Sequence, residues 1–246
     1  MKHRLILIIT LTALFLSGCG RQQSHSTGTQ ATSTPPAIVA KPQFDLLDTT
    51  YYTPVDSSKD SGGLMIAGDN HSEAIRNCAS INGLSIPELE KLMRPGQQDE
   101  RSSKLGFLGN DERLVDILVA DNEFVLDKGL THRELAIPLL QICRHAIAER
   151  DSTAESVEIE HVDVRWRVHL AEYKGFQYSP FDDKTKTNID FTITNLDNKK
   201  MLKFSGLVPI MIERYGFYEG HGTPYRVEPA EIIDLLGLPT KQPAAE

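Results

Sequence analysis

The residues best suited to binding or catalysis lie close together near the C-terminus, in residues 215–229, which read YGFYEGHGTPYRVEP. Glycines flank the histidine of this segment, and glycine gives the backbone access to left-handed conformations. Such conformations suit a plain turn as well as a loop that closes over a ligand. Two interpretations therefore stay open: a turn without function, or a binding loop that faces a groove. The candidate binding residues of such a loop are Tyr218, Glu219, His221, Tyr225 and Arg226.

A short basic row forms a second candidate. Arg165, Arg167 and His169 alternate with apolar residues and share one face of a predicted strand, opposite the face of Trp166. Such a row is most often a solvated strand face and less often a strip that docks an acidic partner. It is therefore a secondary candidate for contact with an envelope protein.

Metal-binding and catalytic motifs are weaker. Residues 69–73, DNHSE, gather oxygen and imidazole ligands, but they equally fit a polar helix start. His161 and Asp163 would share a strand face, where exposed sheet residues explain them more simply. The sequence contains no Gly-x-Ser-x-Gly turn, phosphate-cradling glycine loop or Cys-x-x-Cys pair. We therefore assign no catalytic residue and expect no metal and no cofactor.

Two of the three cysteines, Cys78 and Cys143, fall on apolar faces of predicted helices. In an exported chain such a pair is a candidate disulfide, which would stabilise the fold by about 4 kcal/mol in the chain-entropy model. Two separate buried thiols are nearly as well supported, because free cysteine packs well in cores.

The elements that must position these residues are helical in the first half of the chain. Residues 85–88 and 131–134 each read as a capping box, and they open helices that end near residues 94–96 and near residue 149. Helical spacing of apolar residues predicts a further helix over 111–120.

The second half changes to the period of strands. Alternation over 162–170 predicts a strand with one buried face, and a change of parity places a bulge or a break near residues 160–161. Alternation over 189–193, a turn at 197–198 and a return over 201–204 predict a hairpin.

Ordinary signals for the start and end of a helix explain the end of the candidate loop without a function. Pro229 fits the first turn of a helix, Val227 and Ile232 fit a hydrophobic staple, and Gly237 fits the left-handed position after a helix. The predicted fold class is α+β: a helical N-terminal part packed on an antiparallel β-sheet, closing with this short C-terminal helix.

The N-terminus reads as an export signal. Residues 1–18 combine a basic start with an apolar run that is too short to span a membrane comfortably. The residues LSGC, ending at Cys19, resemble the lipobox of bacterial lipoproteins. The resemblance implies cleavage before Cys19 and lipid on its thiol. With Gly20 next, it also implies sorting to the outer membrane, facing the periplasm, if the cell has two membranes.

These observations predict a signal peptide over 1–18, a lipidated cysteine and disordered tether over 19–43, a globular domain over 44–238 and a tail over 239–246. Within the domain, the helical part covers about 64–150 and the sheet part about 155–238. The chain has a formal net charge of −8, and cleavage makes it more negative because it removes the cationic residues Lys2 and Arg4. This acidic balance argues against nucleic acid as the main partner.

Two function classes stay open for the exported domain. The favoured one is a lipid-anchored, non-enzymatic module that binds a protein or another envelope component. The alternative is an envelope hydrolase with acid/base groups near Glu219 and His221, joined by Asp69 or His71.

Overall fold

A computed structural model describes residues 72–99, 101–151 and 154–241. The lipobox cysteine Cys19, the tether, Asp69 and His71 lie outside these residues. Helices and strands follow one another in the order α1 Ser72–Arg76, β1 Ser80–Ile81, β2 Leu84–Ser85, α2 Ile86–Met93, α3 Leu114–Asp127, α4 His132–Glu149, β3 Ser156–His161, β4 Val164–Tyr178, β5 Lys186–Asn195, β6 Met201–Ser205, α5 Val208–Tyr215 and α6 Pro229–Leu236.

The fold class is α+β, as predicted. Strands β3 to β6 form an antiparallel sheet in sequence order, and β1 and β2 form a small separate hairpin. Helix α4 packs against β3, β4, α5 and α6, and α6 also packs against β5 and β6. The core between helices and sheet is filled by large side chains that are almost fully buried, among them Trp166, Phe181, Phe204 and Phe217.

The two helices that open on capping boxes are confirmed. The backbone N–H of Ser85 donates to the Glu88 carboxylate at 2.8 Å at the start of α2. At the start of α4, the Thr131 N–H donates to Glu134 at 2.9 Å. These bonds satisfy backbone donors that a helix start leaves without partners inside the helix.

Helix α3 differs from the prediction, and α5 was not predicted. Helix α3 begins at Leu114 and continues to Asp127, beyond the predicted end at residue 120. It passes through Asp121 and Asn122, two buried polar residues whose partners, Arg226 and His132, lie outside the helix. Helix α5 is only 8 residues long and ends at Gly216, which adopts a φ of 64°. Such a short helix depends on packing more than on its own sequence.

The sheet confirms the predicted strands and resolves the change of parity. Val162 and Asp163 form a two-residue turn between β3 and β4 with φ values of 52° and 58°. The parity change is therefore the predicted break, a hairpin turn, and not a bulge, and β4 begins at Val164 and not at residue 162. A real bulge lies further along β4: four residues, 173–176, stand between Glu172 and Gln177, whose β5 partners are only two residues apart.

Both described cysteines are free and buried, so the structure contains two separate thiols and not the Cys78–Cys143 disulfide. The Cys78 thiol donates to the carbonyl oxygen of Ser80 at 3.2 Å. Burial raises the pKa of the Cys143 thiol far above its usual range, which makes this thiol unreactive. In the part of the chain that the structure describes, no helix has the length and apolar character needed to cross a membrane.

Candidate ligand groove

A groove of about 560 Å³ opens at the irregular end of the β-sheet. The connection over residues 103–112 is here called the strap. The walls of the groove are the first half of the strap, residues 103–107, and the bulge of β4. Residues 187–190 of β5 form another part of the lining, together with Glu219 and Tyr225 from the candidate loop. This volume lies within the range of about 300–1,000 Å³ that is usual for ligand pockets.

The bulge gives the groove an aromatic wall. Tyr173 and Phe176 are 53% and 55% exposed, although large apolar side chains are usually buried. Between them Gly175 adopts a φ of 92°, a conformation that glycine allows and other residues rarely take. Leu105 of the strap, 52% exposed, adds to the apolar surface on the other side of the opening. Together these three side chains form an exposed apolar rim, and the Lys186 ammonium lies over the Phe176 ring.

Glu219 contributes a buried carboxyl group to the groove. Its residue is 1% exposed, and its carboxyl accepts a hydrogen bond from the Thr223 hydroxyl at 2.9 Å. Burial, helped by the negative charge of Asp190, raises the pKa of Glu219 to about 8. The Glu219 backbone has a φ of 68°, which is uncommon for a residue other than glycine, asparagine or aspartate. Glu219 is therefore a carboxylic acid that keeps its proton at neutral pH.

Asp190 is the second buried carboxyl of the groove. The Tyr225 hydroxyl donates to it at 2.7 Å, and this bond is the main reason that the pKa of Tyr225 is raised. The charge of Asp190 also raises the pKa of Tyr173. One end of the groove therefore combines a protonated acid with a second carboxyl group and two tyrosine hydroxyls. Such a set can donate and accept hydrogen bonds to a bound ligand.

Two of the predicted loop residues serve packing instead of lining the groove. The Tyr218 hydroxyl donates to Nδ1 of His132 at 2.8 Å, and Nε2 of His132 lies 3.1 Å from the Asn122 side-chain oxygen. All three side chains are buried, and burial lowers the pKa of His132 to about 4. The neutral imidazole thus accepts on one side and donates on the other, joining α3, α4 and the loop.

Arg226 is the other packing residue. Its guanidinium makes a two-pronged ion pair with Asp121 at 2.7 and 3.1 Å, and it also contacts Glu228 at 2.7 Å. The side chains of Arg226 and Asp121 are 5% and 6% exposed. This pair fixes the loop to α3, and Glu228 extends it to the start of α6. His221 lies outside this pair with a side chain 54% exposed, 3.2 Å from Glu228.

The glycines beside His221 act by close approach and not by left-handed geometry. The positive φ of this stretch belongs to Glu219, and neither Gly220 nor Gly222 shares it. A Cβ on Gly220 would lie 2.0 Å from a Glu112 carboxylate oxygen, and one on Gly222 would lie 2.9 Å from the Cα of Gly109. The Gly220 N–H donates to the carbonyl of Phe107 at 2.8 Å. The loop therefore packs directly on the strap.

The structure brings only Glu219 and Tyr225 of the five predicted loop residues into the groove. Arg165 and Arg167 lie exposed on β4, where they pair with Asp197 and Glu158 at 3.3 and 2.6 Å, and His169 is half-buried. Sequence reasoning missed Tyr173, Phe176 and Asp190. The signal that marks the first two is the glycine at position 175, which interrupts a strand pattern between two aromatic residues.

Comparison of the chain with protein-family models, curated proteins and solved structures finds no match. Among the residues that the structure describes, no cluster of three or more histidine, cysteine, aspartate or glutamate side chains is arranged to hold a metal ion. The fold and the groove together define the class of this protein: an α+β domain with a ligand-sized groove at the end of its sheet.

Proposed function

We propose that this chain is a lipid-anchored envelope protein whose domain is a non-enzymatic binding module, and that its ligand enters the groove. The anchor rests on the export signal and on the LSGC lipobox, with lipid on Cys19. In a cell with two membranes, Gly20 favours the outer membrane, with the domain in the periplasm. The predicted tether over 19–43 would let the domain stand away from the bilayer and reach a partner.

The observation that carries the binding role is the β4 bulge. It exposes Tyr173 and Phe176 at the mouth of a groove whose interior holds Glu219 and Asp190. An apolar wall beside a few convergent polar groups is the usual composition of a ligand pocket. Bulges also occur preferentially next to functional sites, because they redirect side chains out of the regular pattern of the sheet. An envelope component with both an apolar and a polar face fits this lining.

Site-specific photocrosslinking tests the binding role in the anchored protein. A photoreactive phenylalanine analogue replaces Phe176 in one variant and Met201 in the control. Met201 is a suitable control because it is a 62% exposed apolar residue of the same sheet that does not line the groove. We expect a discrete crosslinked product from position 176 and none from position 201. Equal products at both positions, or none at position 176, would contradict the proposal.

The anchor has its own test. We expect Cys19→Ala to move the protein from the carbonate-washed membrane fraction to the soluble fraction. A variant that stays with the washed membranes would show that attachment does not depend on lipid at this cysteine.

Hydrolysis is the second candidate function, and the burial of Glu219 favours it. A carboxylic acid that holds its proton to about pH 8 can protonate a leaving group, and the neighbouring Asp190 supplies a second carboxyl group. His221 is not part of this pair, because its side chain points to Glu228 on the outer surface.

Purified envelope polymers distinguish the two functions. If the protein is a hydrolase, Glu219→Gln abolishes the release of soluble fragments, and Glu231→Gln on the exposed face of α6 leaves this release unchanged. In the binding module, none of these proteins releases fragments, and the crosslink at position 176 persists.

A further inference from the structure

A second cavity, of about 380 Å³, lies between α4, α5 and the start of β5. Of its lining residues, only Thr187 and Ile189 also line the groove. Much of its wall is apolar, and several of these apolar side chains are only partly buried within the fold. The apolar lining consists of Leu140, Cys143, Ile147, Ile189, Phe191 and Ile210. This is apolar surface available for contact with a bound molecule.

The charged residues around this cavity are mostly cationic. Arg144, Lys184, Lys186 and Arg214 line it, whereas Asp183 is its single acidic residue. Asp183 forms a buried ion pair with Arg214 at 2.9 Å, so its charge is already compensated inside the fold. Both lysines are exposed: Lys186 is the first residue of β5, and Lys184 lies in the loop just before it. In a chain with a net charge of −8, this is a local excess of positive charge.

We propose that this cavity binds an anionic amphiphile, with a carboxylate or phosphate head group at the lysines and part of one alkyl chain against the apolar wall. Charge complementarity selects the head group, and burial of the alkyl chain supplies most of the affinity. The cavity is at the lower end of the range for ligand pockets, so it accommodates one chain and not a paired diacyl tail. The site borders the groove, because the two share Thr187 and Ile189 and the Lys186 ammonium lies 4.4 Å from the centroid of the Phe176 ring.

Photoaffinity labelling of the full anchored protein in membranes tests this site. The probes are diazirine derivatives of decanoic acid, decyl phosphate, decanol and decyltrimethylammonium, which share a chain length and differ in head group. Labelled peptides are mapped by mass spectrometry. We expect both anionic probes to label the peptides that contain residues 140–147 and 206–214 about tenfold more than the cationic probe does. A preference between the acid and the phosphate shows which of these two head groups the cavity favours.

Variants separate the role of charge from that of folding. Lys184→Asn with Lys186→Gln removes two exposed cations, and asparagine suits the φ of 62° at position 184. We expect this pair to reduce anionic labelling of the cavity about tenfold, and Lys184→Arg with Lys186→Arg to retain it. Arg165→Gln with Arg167→Gln removes the same charge from the basic row of β4 and should leave the labelling unchanged.

Three results would overturn the proposal. The first is labelling of the cavity that is independent of head-group charge. The second is full anionic labelling in the Lys184→Asn, Lys186→Gln variant. The third is loss of labelling in the Arg165→Gln, Arg167→Gln control, which would place the anion on the basic row instead.

Discussion

Glu219→Gln should remove a pH dependence of stability that this one side chain creates. In the folded chain burial holds the pKa of Glu219 at about 8, whereas its ordinary value is 4.5. Between these values the folded state carries a proton that the unfolded state has released. The free energy of unfolding therefore falls as the pH rises through this window. Glutamine has nearly the shape of the protonated acid and keeps an oxygen for the Thr223 hydroxyl, but it does not titrate.

The size of this pH dependence is set by the one proton of Glu219 and by the opposite contribution of His132. One proton changes stability by about 1.4 kcal/mol per pH unit. The pKa of His132 is lowered by burial from 6.5 to about 4, so its contribution falls in the opposite direction, as the pH drops below 6.5. These two effects oppose each other below pH 6.5, and Glu219 acts without that opposition above it. Between pH 6.5 and 8 we expect the Glu219 contribution to decline by about 2 kcal/mol.

Urea unfolding at closely spaced pH values measures this decline on the chain without residues 1–19. Fluorescence of the single tryptophan, Trp166, reports unfolding because this side chain is buried. We expect the wild-type protein and the exposed control Glu231→Gln to lose about 2 kcal/mol more than Glu219→Gln over this range. Equal slopes in wild-type protein and Glu219→Gln would refute the argument that Glu219 is buried and protonated.

Three further predictions follow from the packing of the loop and from the cysteines. Arg226→Ala leaves the buried Asp121 without its countercharge and should lower the free energy of unfolding by about 3–5 kcal/mol, as measured by urea unfolding. His221→Ala should change it by no more than about 0.5 kcal/mol, because this side chain is exposed. Similar losses in the two variants would contradict the burial of Arg226 and the exposure of His221. Gly220→Ala should cost about 1–3 kcal/mol in the same assay, because its methyl group would meet the strap, and an unchanged midpoint would contradict this close contact. Cys78 and Cys143 should both be alkylated after unfolding without reductant, as read by intact mass, and two unreactive cysteines would indicate a disulfide.

Local sequence signals predicted much of the fold because they act within a few residues. The capping boxes that begin at Ser85 and Thr131 placed the starts of two helices, since a cap satisfies donors of the turn beside it. Alternation placed three strands, and Gly237 marked the end of α6. Helix α5 and the extension of α3 escaped prediction, because packing partners distant in sequence stabilise them.

The sequence predicted only part of the candidate site, because the rest depends on contacts between residues that are distant along the chain. The sequence drew attention to residues 215–229, but it gave equal weight to Tyr218, Glu219 and Arg226. Their contacts in the folded chain distinguish these residues. Tyr218 and Arg226 connect the loop to helices, whereas Glu219 faces the groove. Asp190 looked like an ordinary strand residue, because its partner Tyr225 lies 35 positions away.

Composition and neighbouring residues along the chain are enough to specify the export signal pattern, the acidic balance, the capped helices and the alternating strands. The folded arrangement decides which carboxyl groups lose contact with water and which aromatic residues stay exposed. It also decided which cations gather around one cavity. Those properties depend on desolvation and on Coulomb interactions between distant segments, and both are set by the folded arrangement of the chain.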